Sequence, residues 1–199
     1  MRINKKLNLV IPVELDNSKT VYVHSTPISR EVFEKYYKVI GRTLAAIFEQ
    51  GLGRIAGPRT SALLMMEQAE EMGGNTPEAK AAAIRDVEDG LFNEIYRLTN
   101  VAVPGERGWD NIPYSEAIKK SIINRDDAAE VKNALAFFTV TSSMMKGRDL
   151  EAALEGSKLW GGSIVSLNCT EYANSLPTST VAENSGVKNP TLPQMRLTG

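Results

Sequence analysis

The sequence contains very little of the chemistry that catalytic and metal sites require. Its 199 residues include a single cysteine, Cys169, and a single histidine, His24. One cysteine excludes an intramolecular disulfide, and one of each cannot supply the clustered ligands of a zinc site. His24 falls in a predicted strand and Cys169 in a predicted late helix. These contexts favour a solvated histidine and a small buried thiol over a nucleophile–base pair.

The chain also lacks an excess of positive charge and a long apolar run. Lysine and arginine number 23 against 24 aspartates and glutamates, a formal net charge of -1, which argues against a nucleic-acid-binding domain. No stretch of about 20 apolar residues is present, so no membrane-spanning helix is expected. The N-terminal apolar run is interrupted by Asn8, Pro12 and Glu14, which indicates a strand rather than a signal peptide. With the single cysteine, these features predict a protein of a reducing cytoplasm.

Two further patterns look like ligand sites but lack the residues that would complete them. Asp126, Asp127 and Glu130 have neither the glycine turn nor the spacing of an EF-hand loop, and we interpret them as the acidic N-terminus of a helix. A glycine-rich segment at residues 51–57 follows a helix and has no Lys-Ser/Thr pair, so we interpret it as a connection rather than a phosphate loop. The sequence therefore predicts no catalytic, cofactor-binding or metal-binding residue, and a protein that is not an enzyme.

Alternating apolar residues open the chain. The segment from Leu7 to Leu15 carries them at every second position, and a shorter alternation follows a polar turn, from Thr20 to Ser25. Pro12 lacks an N–H, so the first strand should lie at a sheet edge or carry a bulge. The pattern predicts a β-hairpin over residues 7–25. Because an isolated hairpin is marginal in water, we expect it to pack on the helix that follows.

The segment from Ser29 to Gln50 has the strongest helical pattern in the chain. Its apolar residues recur at i, i+3, i+4 and i+7, as they do on one face of a helix. Ser29 is a good N-cap, and Gly51 marks the C-terminal end. The residues expected on the buried face are Phe33, Tyr36, Tyr37, Ile40, Leu44, Ile47 and Phe48.

Most of the remaining chain is predicted to be helical up to residue 176. We expect one globular domain over residues 1–176, of the α+β class and mainly α, with the hairpin packed on a bundle of about five to six helices. Residues 177–199 are rich in Pro, Ser, Thr, Asn and Gly, without periodicity, and are predicted to be a flexible, disordered tail. The expected helices run from Pro58 to Met72, Thr76 to Asn100, Pro113 to Ile123, Asn124 to Gly147 and Leu150 to Ser175, the last kinked at Gly161 and Gly162, with an irregular loop from Val101 to Pro113.

Methionines are concentrated on two of the predicted helices. Met65, Met66 and Met72 lie on one of them, and Met144 and Met145 on another. Unbranched, polarizable side chains repack easily, so a methionine-rich surface suits partners of variable sequence. Methionine equally fills gaps in a core, and both interpretations stay open here. If the surface interpretation holds, these five residues form the partner-binding face.

Several longer stretches resemble one protein family. They are the opening strand pair, HSTPISREVFEKYYKVIGRTLAAIF from His24, AGPR at Ala56 to Arg59, RLTNVAVPGERGW at Arg97 to Trp109, and SLNCTEYANSLPTST at Ser166 to Thr180. Together they resemble the tail assembly chaperones of long-tailed bacteriophages, which are encoded between the tail tube and tape measure genes. The resemblance covers most of the chain and includes no motif that assigns partner contacts residue by residue.

The resemblance implies a small, largely helical, non-enzymatic protein that acts in the host cytoplasm during phage assembly. Members of this family coat the long helical tape measure protein, keep it from aggregating and help to recruit tail tube subunits. The implied partners are the tape measure protein, the major tail tube protein and further copies of the chain, with no nucleic acid, membrane or cofactor. The alternative is a structural tail component, such as a completion or connector protein, that stays in the virion.

Overall fold

The computed structural model describes residues 7–16, 18–51, 53–106, 108–155 and 161–177, without the side chains of residues 53–55. These residues form a five-stranded antiparallel sheet whose inner face shares one core with a layer of helices. The predicted α+β class, mainly α, is confirmed. The single domain over residues 1–176 stays a prediction, and the predicted tail lies outside the described residues apart from Pro177.

Five strands and eight α-helices are present in the described residues. A π-helical turn at Val87–Phe92 joins the third and fourth helices into one continuous run. The strands are β1 (Asn8–Glu14), β2 (Thr20–Ser25), β3 (Thr99–Gly105), β4 (Gly108–Pro113) and β5 (Ser163–Val165). The helices are α1 (Arg30–Glu49), α2 (Gly53–Met72), α3 (Pro77–Asp86), α4 (Asn93–Arg97), α5 (Tyr114–Lys119), α6 (Arg125–Met144), α7 (Gly147–Glu155) and α8 (Cys169–Ser175).

The N-terminal hairpin forms as predicted and lies inside the sheet, whose strand order is β4-β3-β2-β1-β5. Its apolar face joins a core shared with α1, α2 and α6. β5 pairs only with Asn8 to Val10, so Pro12 lies where β1 has a neighbour on one side alone. The predicted edge position of β1 is therefore wrong, because β2 and β5 flank this strand, but a proline is tolerated at residue 12, where β5 no longer pairs with β1.

The segment from Val101 to Pro113 is a strand pair, not the irregular loop that the sequence predicts. β3 pairs with β2 on one side and with β4 on the other. The pairing with β2 ends at Ala102, so Pro104 lies beyond it, where a proline is tolerated. The sequence predicts a loop because this short segment contains two prolines and two glycines. These residues obscure the alternation of side chains between the two faces of the sheet.

Both faces of the sheet are covered. Leu9, Ile11 and Val23 point into the core shared with the helices. Asn8 and His24 lie on the opposite face, where they are buried and contact the segment that follows β5. The sequence predicts only one apolar face for β1. The segment that covers its second face lies about 140 residues further along the chain, so the pattern of β1 itself does not reveal it.

The predicted last helix, from Leu150 to Ser175, is divided into α7 and α8 with β5 between them. Gly161 has a φ of +79°, and a Cβ there would lie 3.2 Å from Cγ of Pro12, so the chain passes close to β1 at this point. α8 then begins with a capping box. Oδ1 of Asn168 accepts from the N–H of Glu171 at 2.9 Å, and the Glu171 carboxylate accepts from the N–H of Asn168 at 3.0 Å.

The predicted N-cap of α1 is confirmed, since Oγ of Ser29 accepts from the N–H of Val32 at 3.3 Å. The predicted start of α2 is wrong. Pro58 lies inside this helix, which begins at Gly53. Pro58 and Gly57 are buried, and a Cβ on Gly57 would lie 2.9 Å from the ring of Phe137. α2 therefore approaches α6 closely at this point, and these two helices with α1 form the helical layer that carries the candidate site.

Candidate functional site

Two aromatic side chains of α1 are exposed, although the sequence places them on its buried face. Tyr37 is 53% and Phe48 49% exposed, whereas Tyr36, Ile40 and Ile47 are buried. The apolar arc of α1 is thus wider than the surface that its neighbours cover. The burial prediction is wrong for Tyr37 and Phe48, because periodicity reveals an apolar arc without revealing how much of it other elements cover.

The exposed residues belong to one apolar line along α1. Tyr37, Gly41, Leu44 and Phe48 have the i, i+4, i+7, i+11 spacing of one helix face and span about 16 Å. Met144, at the end of α6, is 41% exposed, and its Cε would lie 3.7 Å from a Cβ on Gly41. We call these five residues the α1 strip.

The five predicted methionines do not share one face. Met65 is fully buried in the core and is therefore removed from the predicted partner-binding face. Met66 and Met145 are half-buried. Met72 is 40% exposed and lines, together with Tyr37, a pocket of about 410 Å³ between α1, α2 and α3. Of the methionines on α2, only Met72 has both exposure and a place beside the α1 strip. α2 is apolar on more than one side, so spacing alone could not separate Met72 from Met65.

One side of this pocket is fixed by a close contact between α1 and the π-helical turn. The hydroxyl of Tyr36 donates to the carbonyl oxygen of Asp86 at 3.3 Å. The same hydroxyl lies against Gly90, where a Cβ would overlap it. Nζ of Lys35 lies 3.6 Å from a carboxylate oxygen of Asp86. The sequence does not indicate this role of Gly90, since a glycine inside a helical pattern predicts only a cost in helix propensity.

His24 and Cys169 form a second cluster, on the outer face of the sheet. His24 is 1% exposed, so the solvated histidine predicted from the sequence is wrong. Its Nε2 lies 2.9 Å from the carbonyl oxygen of Leu167, and burial lowers the pKa of the ring. Sγ of Cys169 donates to Oδ1 of Asn111 at 3.0 Å, and the predicted burial of this thiol is confirmed. His24, Asn111 and Cys169 line one cavity of about 480 Å³.

The geometry of this cluster does not favour nucleophilic chemistry. The His24 ring binds a backbone carbonyl, and among the described hydrogen bonds none joins it to the thiol. Burial raises the pKa of Cys169 to about 11, so the thiol is protonated at neutral pH, whereas reactive cysteines have lowered pKa values. In the part of the chain that the structure describes, no group of three His, Cys, Asp or Glu side chains could hold a metal ion.

Two of the stretches that carry the family resemblance meet beside this cluster. Nε1 of Trp109 donates to the carbonyl oxygen of Pro177 at 3.0 Å. The ring of Tyr22 contacts both Trp109, at 5.4 Å between centroids, and Tyr172, at 5.8 Å. These contacts hold the segment around α8 against the sheet.

The chain has no match among protein-family models, curated proteins or solved structures. The described helices include none long and apolar enough to cross a membrane. The arrangement of side chains in the described residues is therefore the basis for the functional argument, together with the resemblance stated above.

Proposed function

We propose that the protein is a tail assembly chaperone of a long-tailed bacteriophage, which binds the helical tape measure protein, keeps it soluble and helps to recruit tail tube subunits. The observation that carries the proposal is the α1 strip. Tyr37 and Phe48 of α1 and Met144 of α6 are about half exposed and belong to one apolar line, and a contiguous exposed apolar surface is typical of a site of protein–protein interaction. An apolar face of a partner helix has the complementary shape and chemistry.

The strength of such a contact fits transient binding. Full burial of a large apolar side chain contributes about 1.5–3 kcal/mol, so covering the half-exposed Tyr37, Phe48 and Met144 of the α1 strip, together with Met72 beside it, contributes about 3–6 kcal/mol. Association costs of several kcal/mol must be subtracted from that sum. One copy therefore binds weakly, and many copies along one long partner cover it while remaining removable. Methionine on the contact surface tolerates a partner of varied sequence.

The proposal includes no chemical reaction. The one thiol of the chain is buried, and its raised pKa keeps it protonated. The one histidine is buried against a backbone carbonyl. Both side chains take part in attaching the C-terminal segment to the sheet, which accounts for their burial without a catalytic role.

The experiment that tests the proposal follows the protein through phage assembly. The tape measure protein should co-purify with the tagged protein from phage-producing cells. Mass spectrometry of purified particles should detect the tape measure protein and not this chain. If the chain is instead found in finished particles at the level of a tail protein, it is a structural tail component, and the chaperone proposal fails.

A further inference from the structure

The pocket between α1, α2 and α3 has a buried apolar base and two exposed apolar side chains at its sides. Val39, Ala69 and Val87 are buried at its base, while Tyr37 and Met72 stand at its sides. Its volume of about 410 Å³ lies in the range of small binding sites. A space of this size is suited to a few inserted side chains and not to an entire folded segment.

The charge at the rim of the pocket is unbalanced. Lys35 and Lys38 line it on one side and Asp86 on the other. Lys35 is engaged already, at 3.6 Å from the Asp86 carboxylate and 4.6 Å from the centre of the Tyr36 ring. In the described part of the chain, no carboxylate pairs with Lys38. One positive charge therefore stands at the rim of an apolar pocket without a counter-charge.

The walls of the pocket are fixed relative to one another before any partner arrives. Tyr36 links α1 to α3 through its hydrogen bond to Asp86. Arg42 links α1 to α2 through hydrogen bonds of 2.9 Å to Gln68 and 2.8 Å to Glu71. A site that is already ordered loses less entropy on binding.

We infer that this pocket receives the apolar face of an amphipathic α-helix, with large apolar side chains one turn apart inserted between Tyr37 and Met72 and an acidic residue of the same helix beside Lys38. The inference rests on the proposed function and specifies the chemistry of its partner. An extended peptide is disfavoured, because all three walls are helices and offer no strand edge to pair with.

A pair of synthetic peptides tests this directly. The probe is a fluorescein-labelled amphipathic helical peptide with leucines at i, i+4 and i+7 and one glutamate a turn away. The control peptide has the same sequence with lysine in place of the glutamate. Fluorescence anisotropy with the full-length protein gives both affinities. We expect the glutamate peptide to bind about two- to fivefold tighter than the lysine peptide, as a partly exposed ion pair allows. Lys38→Glu should reverse that preference.

The apolar part of the inference is tested with a matched pair of charged substitutions on α2. Met72→Glu should weaken binding of the glutamate peptide by at least about tenfold, because it places a charge at the apolar wall. Leu63→Glu is the control, since Leu63 is an exposed apolar residue of the same helix outside the pocket. Both variants should unfold at the wild-type temperature. Binding that is absent in the wild type, or equal in wild type and Met72→Glu, would overturn the inference.

The outcome is separable from that of the proposed function. If the wild-type chain carries the tape measure protein in phage-producing cells and Met72→Glu does so equally well, the chaperone proposal stands and the pocket is not its site. If the peptides bind as expected while the chain carries no tape measure protein, the pocket binds helices but the proposed partner is wrong.

Discussion

The hydroxyl of Tyr36 in α1 lies against Gly90 in the π-helical turn, at a place where any side chain on residue 90 would overlap it. The hydroxyl also donates to the carbonyl oxygen of Asp86. The absence of a side chain at Gly90 therefore sets the distance between α1 and the helical run that begins with α3. Tyr36 and Asp86 also line the pocket between α1, α2 and α3, so this contact lies at one side of the pocket.

The first prediction concerns this contact. Gly90→Ala should lower the free energy of unfolding by about 1–3 kcal/mol, because the new methyl group overpacks against the Tyr36 hydroxyl. Gly41→Ala is the control, since it adds the same group to a helical glycine with its nearest neighbour at 3.7 Å. That control should be neutral or stabilising by up to about 1 kcal/mol. Urea denaturation measures both.

A double-mutant cycle sharpens this test. Tyr36→Phe removes the hydroxyl, so Gly90→Ala should cost less in that background than in the wild type. An equal cost in both backgrounds would show that Gly90 is required for a reason other than this contact.

The second prediction separates the core methionine from the surface ones. Met65→Ala should destabilise the protein by about 2–5 kcal/mol, because it removes a fully buried side chain and leaves a cavity. Met144→Ala should change stability by no more than about 0.5 kcal/mol. Thermal or urea denaturation of the two variants decides the matter, and similar effects in both would contradict the burial described above.

The third prediction concerns pH. Burial lowers the pKa of His24 in the folded state below its ordinary value of 6.5, so the unfolded chain binds a proton more readily than the folded one. This contribution to stability is intact above pH 6.5 and is lost as the pH falls below 6.5 towards the folded-state pKa. Urea denaturation at a series of pH values should show wild-type stability falling through this window. His24→Gln should show a shallower fall there, and an unchanged slope would assign the pH dependence to other groups.

The fourth prediction concerns the thiol. With its pKa raised to about 11, Cys169 should react with iodoacetamide far more slowly in the folded protein at pH 8 than in urea. Mass spectrometry of the alkylated protein follows both reactions. Equally rapid alkylation in the two states would mean that the segment around α8 leaves the sheet readily.

Local signals in the sequence predict local structure well here. Ser29 caps α1 because a hydroxyl followed by an amphipathic run favours a helix start, and the hairpin of β1 and β2 follows from alternation around a polar turn. The pairing of β3 with β4 was missed, since Pro104 and the glycines around it indicate a loop locally, while the sheet accepts them near its turn. Pairing between distant segments depends on neighbours that local patterns do not reveal.

At the candidate site, too, the sequence predicts local features but not the contacts between distant segments. The sequence identified a broad apolar arc on α1 and methionines on two helices, but only the packed structure shows that Tyr37 and Phe48 stand outside the core and that Met65 lies within it. The contact between His24 and the carbonyl oxygen of Leu167 could not be predicted from the sequence either, because no local pattern at one residue indicates the other. The exposure of a side chain depends on which other elements pack against it, so it follows from the fold and not from the spacing of apolar residues in the sequence.

We propose that the exposed apolar surface around α1 binds a helical partner that would otherwise aggregate. The most direct measurement is the soluble fraction of a tape measure fragment expressed alone, with the wild-type protein, with Phe48→Glu, and with Leu63→Glu as the control off the strip. We predict that the wild type and Leu63→Glu keep the fragment soluble and co-purify with it through moderate salt, while Phe48→Glu does neither although it folds normally. If the fragment stays insoluble in the presence of the wild-type protein, the claim is contradicted.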